Sequence, residues 1–302
     1  MSEPLIQNVS DTAFMVAVYR AMESERPDAL FHDPLARKLA GEHGQKIVDD
    51  MSGGPGKRGS LFLRARMVGW TIAIRTRVID EFLQSAIAQG CDAVLNLGAG
   101  LDARPYRMAL PASFPWIEAD YPRVIEFKES QLARETPRCH LERVKVDLAD
   151  AEQRRRLFSH AGSRFRNVFV LTEGVVPYLS LEQAAELADD IRAQASFRVW
   201  GVDYFSPMVA KYRQRSGIKK KLQNAPFRFE PADYFQFFRE HGWRAKEEKY
   251  FVDEGIALHR PLPLPRTMRA WGALRGLFAS RERKEAFRKF AGYVLFAPAA
   301  QS

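Results

Sequence analysis

Apolar residues near the start of the chain recur at the spacing of a helix. Phe14, Val18 and Met22 are four residues apart, which places them on one face of an α-helix. Ser10 or Asp11 can cap the beginning of that helix. The periodicity therefore predicts an N-terminal helix with one apolar stripe.

Two further helices are predicted before residue 90. The Asp33-Pro34 pair combines a capping residue with proline at the first helical position, and it opens a helix that extends through Leu39. Residues 41–60 are rich in glycine and predict a loop that can move. A long amphipathic helix follows at about 62–89.

Beyond residue 90 the helical period gives way to short apolar runs separated by helical stretches. Strands that alternate with helices form a parallel, doubly wound sheet. Right-handed crossovers place the carboxyl ends of its strands on one edge, where ligands bind. The five predicted strands are AVLNL (93–97), FPWIEAD (114–120), LERVKVD (141–147), VFVLTE (168–173) and FRVWGVDY (197–204).

The last third of the chain alternates basic stretches with further predicted elements. A polar, basic stretch covers 207–229, and a helix follows at about 232–241. The strand-like RAKEEKYFV, the proline-rich RPLPLP, a basic helix and a final strand GYVLFA come after it. We expect a helical cap or lid over residues 1–90 and an α/β core over 91–302, with a cap insertion at about 206–242.

The composition narrows the protein class. The 302 residues are 46% hydrophobic and 27% charged, as in globular proteins, and the net charge of +9 does not select one kind of partner. Two cysteines exclude a disulfide framework, and the six histidines lack metal-ligand spacing, so no metal is expected. Without a signal-peptide pattern or a long apolar run, we expect a cytoplasmic protein with no membrane partner.

The sharpest local pattern is NLGAGLDARPYR (96–107), directly after the first predicted strand. Gly98 and Gly100 allow the backbone to turn tightly and to approach a ligand. With Ala103, and with Asp120 twenty residues past Gly100, the loop also fits the dinucleotide fingerprint. Asp120 ends the second strand, where its carboxylate can accept both ribose hydroxyls of any adenosine ligand. The loop alone therefore leaves NAD open.

Two more acids end the third and fourth strands. Asp147 precedes Leu148, which places an acceptor for an adenine amino group beside an apolar surface for the ring, and Glu173 precedes Gly174. Acceptors at three strand ends suit S-adenosylmethionine, which carries an adenine amine, ribose hydroxyls, an α-ammonium and a sulfonium. Asp102 adds negative charge where the pyrophosphate of NAD would need a helix N-terminus. The pattern therefore favours methyl transfer over hydride transfer.

These segments resemble the leucine carboxyl methyltransferase superfamily, especially its bacterial branch of small-molecule O-methyltransferases related to polyketide carboxyl methyltransferases. The resemblance spans nearly the whole chain, and the glycine loop with EADYPRVIEFK is specific for the family. It implies a Rossmann-like, doubly wound class I methyltransferase sheet with an N-terminal helical cap. The matching segments are Ser10-Asp11-Thr12-Ala13, YRAMESERPDALFHDPLA (19–36), AIRTRVIDEFL (73–83), LNLGAGLDARPYR (95–107), EADYPRVIEFK (118–128), VDL (146–148) and LTEGVVPYL (171–179), with weaker support from GW (242–243) and the terminal GYVL.

The resemblance implies S-adenosyl-L-methionine as cofactor, with S-adenosyl-L-homocysteine as its product. Gly98 and Gly100 would contact the methionine moiety through the backbone. Arg75, from the cap, would pair with the cofactor's carboxylate, a task suited to a guanidinium group. Asp120 would hold the ribose.

The remaining implied contacts come from the third and fourth strands. Asp147 with Leu148 would hold the adenine, and Glu173 would hold the α-amino group. The full set of predicted cofactor-binding residues is Arg75, Gly98, Ala99, Gly100, Asp120, Tyr121, Asp147, Leu148, Glu173 and Gly174.

One departure from the family bears on the substrate. The protein-modifying members carry a lysine shortly before the Asp-Pro pair that also helps to hold the carboxylate. The corresponding stretch here is ERPDALFHDP, which has no lysine. This difference weakens the expectation of a protein-phosphatase substrate and leaves cofactor binding unaffected.

The implied reaction is O-methylation of a small acidic or aromatic metabolite, such as a polyketide of secondary metabolism. The acceptor atom is a carboxylate, which needs no general base, or a phenolic hydroxyl, which needs one, and no catalytic residue can be named. Four residues are predicted at the acceptor face: Tyr19, His32, Tyr178 and Tyr204.

Two alternative functions stay open from the sequence. One is a protein C-terminal carboxyl methyltransferase, and the other is an NAD-dependent oxidoreductase that uses the same glycine loop. Nucleic acid is not an expected partner, because the basic runs RRR (154–156) and KKK (219–221) lack interleaved aromatic residues. The sequence leaves the oligomeric state undetermined.

Overall fold

The computed structural model describes residues 9–53, 59–209 and 226–300. Residues 54–58 of the predicted glycine-rich loop and 210–225 of the predicted basic stretch lie outside these described residues. The secondary-structure elements given below refer to the described part of the chain.

Three helices form the N-terminal region, namely α1 (Val9–Ser24), α2 (Ala36–Ser52) and α3 (Ser60–Ala88). Val18 of α1 and Leu39 of α2 are fully buried in one apolar cluster. The predicted first and third helices are confirmed, but α1 begins at Val9, so Ser10 and Asp11 lie within its first turn and do not precede it as caps. The predicted stripe on α1 is wrong at one end, because Met22 is 47% exposed.

The second helix differs from the prediction. Helical structure resumes after a break at Gly41 (φ +57°) and continues to Ser52, whereas a loop was expected from residue 41. A Cβ at Gly44 would lie 3.0 Å from the carbonyl oxygen of Phe14, so this glycine permits close packing of α2 on α1. Two glycines that suggested flexibility therefore serve a helix break and a helix contact.

Seven strands form one sheet in the order β3-β2-β1-β4-β5-β7-β6. The strands β1 to β5 pair in parallel, as predicted, whereas β7 is antiparallel to both β5 and β6. Their bounds are β1 (Ala93–Leu97), β2 (Pro115–Asp120), β3 (His140–Lys145), β4 (Val168–Thr172), β5 (Phe197–Phe205), β6 (Trp243–Tyr250) and β7 (Ala291–Pro298).

Eight further helices connect or flank the strands. Asp150 caps α6 by accepting hydrogen bonds from two backbone amides, and Ser180 forms a capping box with Gln183 at the beginning of α7. The helices are α4 (Arg104–Arg107), α5 (Pro122–Gln131), α6 (Ala151–Arg164), α7 (Leu181–Arg192), α8 (Tyr234–Glu240), α9 (Phe251–Ala257), α10 (Arg266–Phe278) and α11 (Arg281–Arg288), with a 3₁₀ turn at Val176–Tyr178.

The two faces of the sheet carry separate apolar layers. Leu95 of β1 packs with Phe158 of α6 and Ile191 of α7, while its neighbour Val94 points to the opposite face and packs with Phe82 of α3. The α3 helix thus contributes both to the N-terminal helices and to the layer on the sheet. The division of the chain at residue 90 stays a prediction.

The carboxyl ends of β1, β2 and β4 meet at one edge of the sheet. Leu97 pairs with Ala119 and Asn96 with Leu171, so the residues that follow these strands lie side by side. The edge therefore collects the loop after β1 and the acids that end β2 and β4.

In the described part of the chain, no helix is long and apolar enough to cross a membrane.

Candidate active site

A cavity of about 1160 Å³ lies at this edge, between the strand ends and the helices α1 and α3. Pockets for one drug-sized ligand typically measure about 300–1,000 Å³, so there is room for a cofactor and a second molecule. The predicted site residues that line the cavity are Arg75, Gly98, Ala99, Gly100, Asp120, Tyr121, Leu148, Glu173, Gly174 and Tyr178.

The loop after β1 depends on two glycines in left-handed backbone conformation. Gly98 has φ +63° and Gly100 has φ +48°. A Cβ at Gly98 would lie 2.5 Å from the side chain of Val175, which leaves no space for any other residue. The loop can therefore bring its backbone to the cavity wall only with glycine at this position.

Asp120 at the end of β2 fixes this loop. Its Oδ2 atom accepts a hydrogen bond from the backbone N of Gly100 (2.7 Å), and its Oδ1 atom accepts one from the backbone N of Tyr121 (2.7 Å). Burial raises the pKa of Asp120, and the two backbone donors act against that rise. Each carboxylate oxygen keeps a second lone pair, so the group can still accept two hydroxyls of a ligand.

Arg75 and Glu173 place opposite charges next to each other on the cavity wall. The Nη2 atom of Arg75 lies 2.9 Å from Oε1 of Glu173, and Nη1 of the buried Arg104 lies 2.7 Å from Oε2 of Glu173. Burial alone would raise the pKa of Glu173, but the guanidinium groups of Arg104 and Arg75 outweigh it and lower the pKa. The pair can therefore receive a zwitterion, with its carboxylate toward the arginine and its ammonium toward the glutamate.

Arg104 belongs to a buried charge network behind the wall. It donates to Asp80 (2.7 Å) and to Asp102 (2.9 Å), and Asn96 donates to Asp102 as well (2.9 Å). Burial alone would raise the pKa of Asp102, but Arg104 and other nearby cations outweigh this effect and lower the pKa. The carboxylate is therefore ionised, and the cations balance its charge. The negative charge that the sequence places at Asp102 beside the glycine loop is therefore present, but Arg104 neutralises much of it.

Asp203 on β5 holds Arg75 from the other side. Its Oδ1 atom accepts a hydrogen bond from Nη1 of Arg75 (3.3 Å), and its Oδ2 atom accepts one from the backbone N of Gly174 (2.5 Å). Burial raises the pKa of Asp203 to about 6, although Arg75 opposes this rise. Sequence reasoning missed Asp203, although it is an acid near the end of the fifth predicted strand and thus repeats the pattern of the other three.

The two residues after β3 are placed differently from each other. Among the described residues, Leu148 and Ala149 line the cavity, whereas Asp147 does not. The Oδ1 atom of Asp147 accepts a hydrogen bond from the backbone N of Ala149 (2.8 Å). Asp147 therefore orders the turn at the rim, and its adenine contact stays a prediction.

The four predicted acceptor residues do not come together. Tyr178 lines the cavity and packs edge-to-face on Phe227 (5.2 Å between ring centroids). Tyr19 is buried beside α3, His32 is exposed, and Tyr204 is buried in an aromatic cluster with Tyr234. The described lining of the cavity includes none of these last three predicted acceptor residues, so only Tyr178 is in position to contact an acceptor.

A model of the leucine carboxyl methyltransferase family matches residues 13–192, which include the glycine loop, Asp120 and Glu173. The chain belongs to this family. It is therefore an S-adenosyl-L-methionine-dependent methyltransferase. The family match does not favour the oxidoreductase alternative.

Relatives and solved structures agree with this assignment. A protein of Parafrankia sp. (strain EAN1pec) is 32% identical over 273 residues, covering 84% of this chain and 83% of the relative. A protein of Mycobacteroides abscessus is 31% identical over 254 residues, covering 79% of this chain and 81% of the relative. Both are provisionally named S-adenosyl-L-methionine-dependent methyltransferases.

The fold is similar to that of crystal structures with little sequence identity. A DUF574 family protein from Streptomyces avermitilis has a TM-score of 0.52 at 12% identity, over 95% of this chain and 97% of that chain. A provisionally named methyltransferase from Thermobifida fusca has a TM-score of 0.51 at 14% identity, over 84% and 93%. These likenesses show the class I methyltransferase fold.

Proposed function

We propose that this enzyme methylates a carboxylate of a small, largely apolar metabolite, giving a methyl ester and S-adenosyl-L-homocysteine. S-adenosyl-L-methionine, when bound, supplies a methyl group that its sulfonium has already activated. In this proposal the cofactor is held by Arg75, Asp120 and Glu173 and by the glycine loop.

The donor groups on the wall fit the cofactor. The acceptor capacity of Asp120 suits the ribose hydroxyls, and the adjacent charges of Arg75 and Glu173 suit the amino-acid end. A Cβ at Gly98 has no space, so this position of the glycine loop carries no side chain. The methionine moiety of the cofactor can therefore approach the backbone of the loop. Leu148 offers an apolar surface for the adenine ring.

The observation that carries the choice of a carboxylate is that every acid in the described lining of the cavity already has partners. Asp102 is paired with Arg104 and Glu173 with two arginines. Asp120 accepts hydrogen bonds from two backbone amides and, in this proposal, from the ribose hydroxyls. Glu186 lies 3.5 Å from Arg154. Within the described lining there is also no histidine or lysine to act as general base. A carboxylate, ionised at neutral pH, needs none.

The rest of the lining indicates the size and polarity of the acceptor. Five of the eight methionines of the chain line the described cavity, which makes its wall apolar and adaptable. Arg228 lines it beside Tyr178, since its backbone N donates to Pro177 O (2.8 Å). In this proposal Arg228 and Arg64, which also lines the cavity, attract the carboxylate while the apolar part of the acceptor fills the methionine-lined space.

The test is a methyl-transfer assay with a panel of paired acceptors. Each aromatic or long-chain carboxylic acid is compared with its amide. Phenols that lack a carboxylate are assayed as well. We expect S-adenosylhomocysteine release and a base-labile methyl ester for the acids alone. A base-stable methyl ether on the phenols, or methylation restricted to the C-terminus of a protein, would contradict the proposal.

A further inference from the structure

The helices α10 and α11 present large apolar side chains to solvent. Every described side chain of these two helices is exposed. Trp271 is 58% exposed, Leu274 57% and Phe278 87%. With Met268 they recur at helical spacing along α10, so they form one apolar stripe. Helices normally gain their stability from packing such a stripe, and within the described chain this one is left in water.

The same segment carries most of the net positive charge. Residues 266–289 contain eight Lys and Arg and two Glu, a net charge of +6 out of +9 for the whole chain. Part of this charge is paired locally, as in Arg288–Asp253 (2.8 Å) and Lys289–Glu285 (3.0 Å). The guanidinium of Arg275 lies over the ring of Trp271, 4.0 Å from its centroid. Basic and apolar groups are therefore interleaved on one surface.

The apolar stripe continues into the cavity. Met268 and Phe287, which are exposed, also line the cavity. Leu262 and Leu264, from the segment before α10, line it as well. A molecule held at the outer face of these helices would thus lie next to the proposed acceptor space.

We propose that α10 and α11 form a docking surface for an anionic phospholipid bilayer. The apolar stripe enters the boundary between headgroups and acyl chains, and the basic residues contact the anionic headgroups. A helix of 13 residues is about 20 Å long, which is too short to span a bilayer of about 30 Å, so it lies in the plane of the surface. The sequence predicted no membrane partner. With this docking surface, the chain would be a peripheral membrane protein.

The combination of chemistries favours a bilayer over other occupants. The core of a protein interface is depleted in charge, whereas the segment that carries this apolar stripe has a net charge of +6. A bilayer offers anionic headgroups directly above an apolar interior. The link between this surface and the acceptor rests on the proposed function, but the docking itself does not.

Vesicle flotation of the 302-residue chain tests the docking. We expect about tenfold more protein on vesicles of phosphatidylcholine with about one third phosphatidylglycerol than on phosphatidylcholine alone, with binding weakened by salt. No binding to the anionic vesicles, or equal binding to both kinds, would overturn the proposal.

Two variants assign the binding to this surface. Trp271→Ser/Phe278→Ser is expected to lower vesicle binding about tenfold without lowering the melting temperature, since both side chains are exposed. Met22→Ser, which removes an exposed apolar side chain from α1, is the matched control. Arg281→Gln/Lys284→Gln should also weaken binding, whereas Arg155→Gln/Arg156→Gln on α6 should not.

A second copy of the chain is the competing occupant. If light scattering shows a dimer that Trp271→Ser/Phe278→Ser converts to a monomer, the surface is a self-association interface and the proposal is wrong. Wild-type vesicle binding that persists in this variant would also overturn it. Calorimetry with S-adenosylhomocysteine reports on the cofactor site independently, so a failure of docking and a failure of the proposed function are distinguishable.

Discussion

The two halves of the cavity are built on different principles. The half at the ends of β1, β2 and β4 consists of charged and backbone groups with fixed partners, such as the pair of Arg75 and Glu173 (2.9 Å). The half toward α9, α10 and the N-terminal part of α3 consists mainly of apolar side chains, including Met67, Trp70 and Phe251. Fixed polar groups select one ligand, whereas flexible apolar groups accept several of similar size.

This contrast predicts how each half of the cavity responds to substitution. A donor site held by buried ion pairs is costly to alter, because removing one partner leaves an uncompensated charge. An apolar wall tolerates exchange of its side chains at little cost. Substitutions should therefore have large effects in the first half and small ones in the second.

The largest effect is expected from Asp120→Ala. Loss of two hydroxyl contacts to a charged acceptor, each worth about 1.5–3 kcal/mol, should weaken S-adenosylhomocysteine binding by about 100-fold or more. Isothermal titration calorimetry measures this change. Glu126→Ala, which removes an exposed carboxylate from the next helix, is the control, and an unchanged affinity of Asp120→Ala would break the comparison.

Asp203→Asn tests the buried charges behind the donor half. The folded protein raises the pKa of Asp203 from 3.8 to about 6, so it binds this proton more tightly than the unfolded chain does. The resulting stability is fully present below about pH 4 and is lost as the pH rises through about 6, with a loss of the order of 3 kcal/mol.

The measurement is denaturant unfolding of wild type and Asp203→Asn across this pH range. The free energy of unfolding of wild type, relative to the variant, should fall between pH 4 and pH 6 and then level off, because asparagine does not titrate. If the difference in unfolding free energy between wild type and variant stays constant with pH, burial does not raise the pKa of Asp203.

Arg75→Lys tests the pair that faces the amino-acid end. The lysine keeps the charge but not the forked geometry, so S-adenosylhomocysteine binding should weaken about tenfold to thirtyfold. Methylthioadenosine lacks the amino-acid end, and its affinity should change less than about threefold. Arg77→Lys on the same helix, where the arginine pairs with Glu81 (2.8 Å), is the control. Equal losses for both ligands would place the amino-acid end elsewhere.

Met67→Leu should have the smallest effect. It is a volume-conserving exchange on the apolar wall. The change in acceptor kcat/KM should therefore correspond to less than about 1.5 kcal/mol of transition-state free energy, and cofactor affinity should be unchanged. Steady-state kinetics on any acceptor identified in the assay gives this value. A larger loss would mean that the acceptor half is as selective as the donor half.

The strands and the donor half could largely be predicted from the sequence. Buried parallel strands are continuous apolar runs, so β1, β4 and β5 are visible without tertiary information. Asp120 and Glu173 could be found because an acid at a strand end lies at the ligand edge by topology alone.

The rest depends on contacts between distant segments. Arg104 reaches Asp80 and Glu173, and Arg75 reaches Asp203, 128 positions away, so their network could not be inferred from local spacing. Gly44 suggested flexibility because nothing nearby in sequence indicates its close contact with α1. Local pattern likewise could not distinguish Tyr178 at the wall from Tyr204 in the core.

A crystal structure of the enzyme with S-adenosylhomocysteine tests the central claim most directly. We predict the ribose hydroxyls on the carboxylate of Asp120, the amino-acid end between Arg75 and Glu173, and the methionine-lined space left open for the acceptor. Adenosine bound among the methionines, or an amino-acid end that contacts neither Arg75 nor Glu173, would contradict the division of the cavity into a selective and a permissive half.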